Sequence, residues 1–269
     1  MRGKHAALGW LVAVGLLGGC APTTTTGSGG SGASPHPTAT AFDGLAQVGA
    51  LFAGPSDAGV HFCTASVVHS PAHDLVATAA HCLAGTGRDL TFVPMYHDGV
   101  APYGSWAVGA VYVGARWLTA QDPQEDVALL RLDPQQWQGR ARNVEDAVGA
   151  DRLVTSRGFD VEARVVGYAL GTGGRPITCT NRTHAEDGYP AFDCDGYVDG
   201  TSGSPWITDV AGTTQQGDLY GVIGGLHQGG CTPQVSYSSY FGAEVQALYD
   251  RAVEGGPGDV VPAAGSSGC

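Results

Sequence analysis

From Phe42 onward the apolar residues of this chain come only in short runs, separated by Gly, Pro and Asp. Residues 46–52, 61–69, 75–79, 105–112, 127–132, 161–168 and 219–224 are runs of this kind, and most carry Val, Tyr, Phe or Thr. Such side chains suit a pleated surface, and turn residues at both ends hold each run to the length of a strand. Only two stretches read as helix. One is short, at 142–147; the other is 242–253, where Val245, Leu248 and Ala252 recur at helical spacing. No internal repeat and no sustained βα alternation is visible, so the expected fold is all-β, a barrel or sandwich with a C-terminal helix. The 43 glycines and a charged fraction of only 14% fit a chain of many tight turns, and a hydrophobic fraction of 43% is enough for a core.

Both ends of the chain differ from this body. Arg2, Lys4 and His5 precede an apolar run, 6–17, that is too short to span a bilayer comfortably and is broken by Gly9 and Gly15. Residues 1–19 therefore read as an export signal, and Leu17-Gly18-Gly19-Cys20 resembles a bacterial lipobox, in which Cys20 carries the lipid. An ordinary secretory signal with an incidental cysteine is the alternative. Residues 20–41, rich in Thr, Gly, Ser and Pro, read as a flexible tether. The expected globular domain spans 42–254, followed by a Gly/Pro-rich tail, 255–269, expected to be loose apart from Cys269. The formal charge of −12 argues against a nucleic-acid partner, which selects for basic surfaces. A lipid anchor is the one membrane contact expected, and the chain reads as a monomer.

Three segments carry chemistry. In Asp199-Gly200-Thr201-Ser202-Gly203-Ser204-Pro205-Trp206, glycines around Ser202 permit a tight turn that exposes a hydroxyl and lets a substrate backbone approach. The same turn can aim the amides of Gly200 and Ser202 at one point, as an oxyanion hole requires. In Thr78-Ala79-Ala80-His81-Cys82, a histidine follows a strand-like run and can project from its end. In Glu125-Asp126-Val127-Ala128-Leu129, a carboxylate stands at the mouth of an apolar strand, a costly place unless a donor such as an imidazole N–H satisfies it. A serine made nucleophilic by a base, and a base oriented by a buried acid, need these three residue types.

The contexts and their order, His81, Asp126, Ser202, resemble the chymotrypsin-like (trypsin-like) serine peptidases over roughly residues 44–252. The resemblance implies two antiparallel β-barrels with the site between them, a polypeptide substrate, and no cofactor. It also implies roles: Ser202 attacks the carbonyl, His81 moves the proton, Asp126 orients the ring, and the Gly200 and Ser202 amides hold the oxyanion. Ser204, also in a small-residue setting, is the other candidate nucleophile. Two departures stand out: Thr201 occupies the place of the pancreatic enzymes' aspartate, and no I-V-G-G-like start precedes Phe42. Activation by a newly cut N-terminus is therefore not expected.

The Gly-Thr-Ser-Gly-Ser-Pro run is closer to the bacterial glutamyl-endopeptidase (V8-like) branch. That branch reads acidic side chains with a histidine in the S1 pocket, and the stretch 222–230, with His227 and Gly229, is similar apart from one extra residue before the histidine. An acidic P1 residue is one expectation; a rim or structural role for His227 is the other. Cleavage after Lys or Arg stays open because Asp195 lies next to the position, Gly196, where a trypsin-like acid would fall. With Cys20 assigned to lipid, six cysteines remain, an even number that suits an oxidised exported domain. By the resemblance Cys63 pairs with Cys82. Cys179 with Cys194 and Cys231 with Cys269 is one completion, and Cys231 with Cys194 is another. No metal motif such as H-E-x-x-H or C-x-x-C is present, and no metal site is expected. The sequon at Asn181 is set aside because a lipobox implies a bacterium. A non-catalytic binding protein on this fold is a rival reading. An α/β-hydrolase is excluded by the chain order of the three residues.

Overall fold

The structure is a computed structural model, and it describes residues 36–56, 60–172 and 174–269. Residues 1–19 and Cys20, read as signal and lipidation site, lie outside the described residues. Among the described residues, sixteen strands appear in chain order. The first nine are β1 (Thr40–Ala41), β2 (Val48–Ala53), β3 (His61–Val68), β4 (Leu75–Thr78), β5 (Leu90–Pro94), β6 (Trp106–Val113), β7 (Ala128–Leu132), β8 (Gln135–Trp137) and β9 (Arg140–Arg142). The other seven are β10 (Arg152–Leu153), β11 (Glu162–Gly167), β12 (Ile177–Glu186), β13 (Tyr189–Asp193), β14 (Pro205–Thr208), β15 (Asp218–Val222) and β16 (Val235–Tyr237). Three helices join them: α1 (Ala115–Ala120), α2 (Val144–Val148) and α3 (Ala243–Glu254).

β2-β3-β4-β7-β6-β5 close into a barrel, and β8 and β9 form a separate hairpin. The second half is an eight-stranded sheet in the order β10-β15-β14-β11-β12-β13-β16, with β1 added on β12. The expected chymotrypsin-type architecture is present; strand pairing completes a ring in the first half, while in the second it follows an open path.

Strand periodicity explains how the halves meet. Successive side chains of a strand point to opposite faces. On β3, Cys63, Ala65 and Val67 enter the barrel core with Phe92, Trp106 and Leu130. The alternate residues Thr64 and Ser66 are fully buried but polar, and both bond to groups of the second half or its linker. On β7, Ala128, Leu130 and Leu132 fill the barrel while Leu129 faces Val245, Leu248 and Ala252 of α3. The helical spacing seen in the sequence is thus the buried face of α3.

Both ends of the domain are tied down more than the sequence suggested. Within the segment read as tether, the Ala39 N–H donates to the Asp195 carbonyl at 2.8 Å, the Asp195 N–H donates to Pro37 O at 2.8 Å, and Thr40 and Ala41 pair with Thr178 and Ile177. The tail 255–269 is not loose. Val261 is buried in the barrel core and exchanges two backbone hydrogen bonds of 2.8 Å with Gly85, and Cys269 is bridged to Cys231. Composition hid this, because Asp259, Val261 and Cys269 anchor a segment otherwise made mostly of Gly, Pro, Ala and Ser. Among the described residues no helix is long and apolar enough to cross a membrane.

Candidate active site

β4 and β7 are antiparallel neighbours with Thr78 opposite Ala128, so the end of one strand and the start of the other fall at the same barrel edge. His81 follows β4 in a one-turn 3-10 helix, 80–82, whose Ala80 is buried in the core. The Cys63–Cys82 disulfide ties that turn back to β3. Asp126 precedes β7, after a 3-10 turn capped by Asp122, whose carboxylate accepts from the Gln124 N–H at 2.9 Å.

The Asp126 carboxylate is fully buried and accepts three hydrogen bonds. The His81 backbone N–H donates to Oδ1 at 2.9 Å, His81 Nδ1 lies 2.8 Å from Oδ2, and the Gly225 N–H donates to Oδ2 at 2.9 Å. The imidazole side chain itself is 9% exposed. With Nδ1 held by the carboxylate, Nε2 is the ring nitrogen left for other chemistry.

Ser202 stands in the turn between β13 and β14, and this turn is docked on β3. The Thr64 N–H donates to Ser202 O at 2.7 Å, and Thr64 Oγ1 donates to Gly200 O at 3.1 Å. The same hydroxyl accepts from the Tyr168 N–H at 2.9 Å, while Thr78 Oγ1 donates to the Thr64 carbonyl at 2.7 Å. Gly203, at φ +81°, leaves no room for a side chain: a Cβ there would lie 2.2 Å from both Thr64 O and Thr78 Oγ1. Thr64 is the residue sequence reasoning missed. Its signal was faint, a threonine facing the opposite way from Cys63 and Ala65 in a largely apolar strand.

Ser202 and His81 line one cavity of about 390 Å³ together with Gly200 and the Cys63–Cys82 bridge. Among the described residues, neither the Gly200 nor the Ser202 N–H donates to a protein acceptor. Two unengaged amides beside a serine and an imidazole can hold a developing oxyanion. Ser204 is fully buried, and its Oγ is pressed against Gly167 with no hydrogen-bond partner of its own among the described residues. It does not line the cavity.

A second cavity, also about 390 Å³, is likewise lined by Ser202. Its walls include Leu170, Tyr197, Ile223, Gln228, Gly229 and Pro233, and its one charged side chain is the exposed Asp199. Gly229, expected at S1, is there. His227 is not; it lines the first cavity, beside His81, and its Nδ1 lies 3.0 Å from the Ser267 carbonyl. Asp195 is also absent from the lining, its backbone engaged with the N-terminal segment. The remaining cysteines pair as Cys179–Cys194 and Cys231–Cys269, the first of the two completions left open by the sequence.

The fold and this site together define a chymotrypsin-like serine peptidase. Comparison with known proteins agrees: the family profile named Trypsin matches residues 43–243. The chain belongs to the trypsin family and is a serine endopeptidase, a hydrolase of polypeptides. No curated protein matches it. Among solved structures it is similar to the protease Anisep from Arthrobacter nicotinovorans (TM-score 0.68, 23% identity, 81% of this chain and 100% of that one). It is also similar to the thermostable serine protease AL20 from an extremophilic microorganism (TM-score 0.66, 25% identity, 78% and 98% covered). A Glu endopeptidase in complex with MPD superposes at TM-score 0.62 with 18% identity, covering 82% and 99%.

Proposed function

We propose that this chain hydrolyses peptide bonds through Ser202, His81 and Asp126, with the Gly200 and Ser202 amides as the oxyanion hole. The observation that carries the reading is the buried Asp126 carboxylate, which holds the ring and backbone of His81 while His81 shares its cavity with Ser202. In this reading His81 Nε2 takes the Ser202 proton as Oγ attacks the scissile carbonyl. Asp126 stabilises the imidazolium that forms, and the two amides take the oxyanion charge. His81 then returns the proton to the leaving amine, and water releases the acyl group by the same route.

The P1 residue enters the cavity walled by Ile223, Tyr197 and Leu170. An acidic P1 would need His227 in that wall and a basic P1 would need Asp195, and neither lines it. The lining supports an uncharged P1 side chain instead, since its one carboxylate, Asp199, is solvent-exposed and a buried charge without a partner is costly. The domain works outside the cytoplasm: three disulfides suit an oxidising compartment, and the lipobox at Cys20 supplies the anchor.

Peptides varied at P1, incubated with the full chain and with Ser202→Ala, test both parts. Cleavage after uncharged residues, absent from the variant, is expected. Cleavage confined to Glu or Asp would return His227 to the S1 pocket, and cleavage that survives in Ser202→Ala would remove the triad assignment.

A further inference from the structure

The C-terminal residues run across the molecule rather than away from it. On the first half, the Asp259 N–H donates to Val111 O at 2.8 Å, its Oδ2 accepts from the Val113 N–H at 2.9 Å, and Val261 pairs with Gly85. Midway, Gln121 Nε2 donates to Ala263 O at 2.7 Å, and Gln121 Oε1 accepts from the Gly265 N–H at 2.8 Å. On the second half, Gln228 Nε2 donates to Gly265 O at 2.9 Å, His227 Nδ1 meets Ser267 O at 3.0 Å, and Cys269 is bridged to Cys231. The segment is a strap joining both halves beside the reactive serine. Ser267 lines the cavity that holds His81 and Ser202.

The turn that the strap holds is conformationally costly. His227 and Gln228 stand in succession at φ +53° and +54°, in a left-handed region that residues other than glycine leave unless their surroundings hold them. Both side chains spend a donor on strap carbonyls, and both line the cavity next to Ser202; Gln228 lines the P1 cavity as well.

We propose that the strap, residues 259–269, is a wall of the substrate cleft, and that it fixes His227 and Gln228 as specificity-determining residues for the peptide residue neighbouring P1. The Cys231–Cys269 bridge fastens it. The inference rests on the endopeptidase reading above and adds a polypeptide subsite to it. With Nδ1 committed to Ser267 O, His227 has Nε2 left to meet a polar or acidic side chain of the substrate beside the scissile bond. A His227 and Gln228 pair freed from the strap would relax out of the left-handed region and blur that subsite.

Two full-length variants test this. Cys231→Ser/Cys269→Ser unfastens the strap, and His227→Asn keeps all three bridges and tolerates the left-handed backbone but cannot reach Ser267 in the same way. Each is compared with the natural chain in two assays, the labelling rate with a small fluorophosphonate and kcat and KM on peptides varied beside P1. The small probe needs only the serine and its base. Both variants are expected to lose kcat/KM on peptides by about tenfold or more, chiefly through KM, with flattened selectivity beside P1 and a labelling rate changed far less. Unchanged peptide kinetics in both variants would overturn the proposal. So would labelling and cleavage falling together in His227→Asn, which would make the strap a support of the catalytic residues. A natural chain that neither labels nor cleaves would instead refute the endopeptidase reading, and the subsite with it.

Discussion

Asp126 takes donors from two directions, the His81 backbone and ring on the barrel side and the Gly225 amide on the other half. Asp126→Asn keeps the shape but turns one acceptor into a donor facing His81 Nδ1, which forces the other imidazole tautomer and removes the base at Nε2. By analogy with the handling of such triads in general, kcat is expected to fall about 10⁴-fold with KM little changed. A steady-state assay showing a loss under tenfold would contradict this role for Asp126. Thr64 acts at the same scale without touching substrate. Its hydroxyl gives to Gly200 O and takes from the Tyr168 N–H, so Thr64→Val leaves two buried polar groups without partners. The expected cost is about 2–4 kcal/mol in denaturant unfolding, with kcat lowered as well because the Gly200 peptide loses its tether. Unfolding within 0.5 kcal/mol of the natural chain, roughly the surface-substitution range, would contradict it.

At the scale of elements, the segment between the halves holds a buried acid. Asp151 accepts from the Gly217 N–H at 2.9 Å, from Ser66 Oγ at 3.0 Å and from Gln47 Nε2 at 3.3 Å, joining β3 of the barrel to the approach to β15. Burial pushes its carboxyl up to about 6 in spite of these donors. The folded chain therefore keeps a proton between about pH 4 and 6 that the unfolded chain has lost. This contribution to stability is fully present below about pH 4 and is lost as the pH rises through about 6, a change of about 3 kcal/mol. Asp151→Asn is expected to remove that slope, read as the difference between the two chains in unfolding free energy against pH. An unchanged slope would contradict the burial account. Elements of this kind were legible to different degrees. Runs such as 61–69 and 127–132 announced themselves because apolar or small residues dominate them, and α3 because its buried stripe has a helical period. Strands β12 and β13 went unread, since β12 sets Thr178, Thr180, Arg182 and His184 on one face against Ile177, Cys179, Asn181 and Thr183 on the other. Pattern alone does not separate such a polar strand from a loop.

Across the whole molecule, Asp126 holds His81, and His81 comes to line one cavity with Ser202, because two halves share an interface made by alternate residues of β3 and by the turn at Ser202. The local contexts of His81, Asp126 and Ser202 were readable, since each needs a distinctive neighbourhood of small residues or strand-mouth position. The lining of the second cavity was not, because it is assembled from loops whose relative placement no local pattern encodes, and His227 lines the first cavity instead. The strap escaped for the same reason: most of its contacts between Val261 and Cys269 are made by backbone groups, which any sequence supplies. The most direct test of the account is to react the full chain with a fluorophosphonate, digest it and locate the adduct by mass spectrometry, beside a His81→Ala control. One adduct is expected, on Ser202, with labelling lost in the control. An adduct on Ser204, or labelling that proceeds equally well without His81, would contradict it.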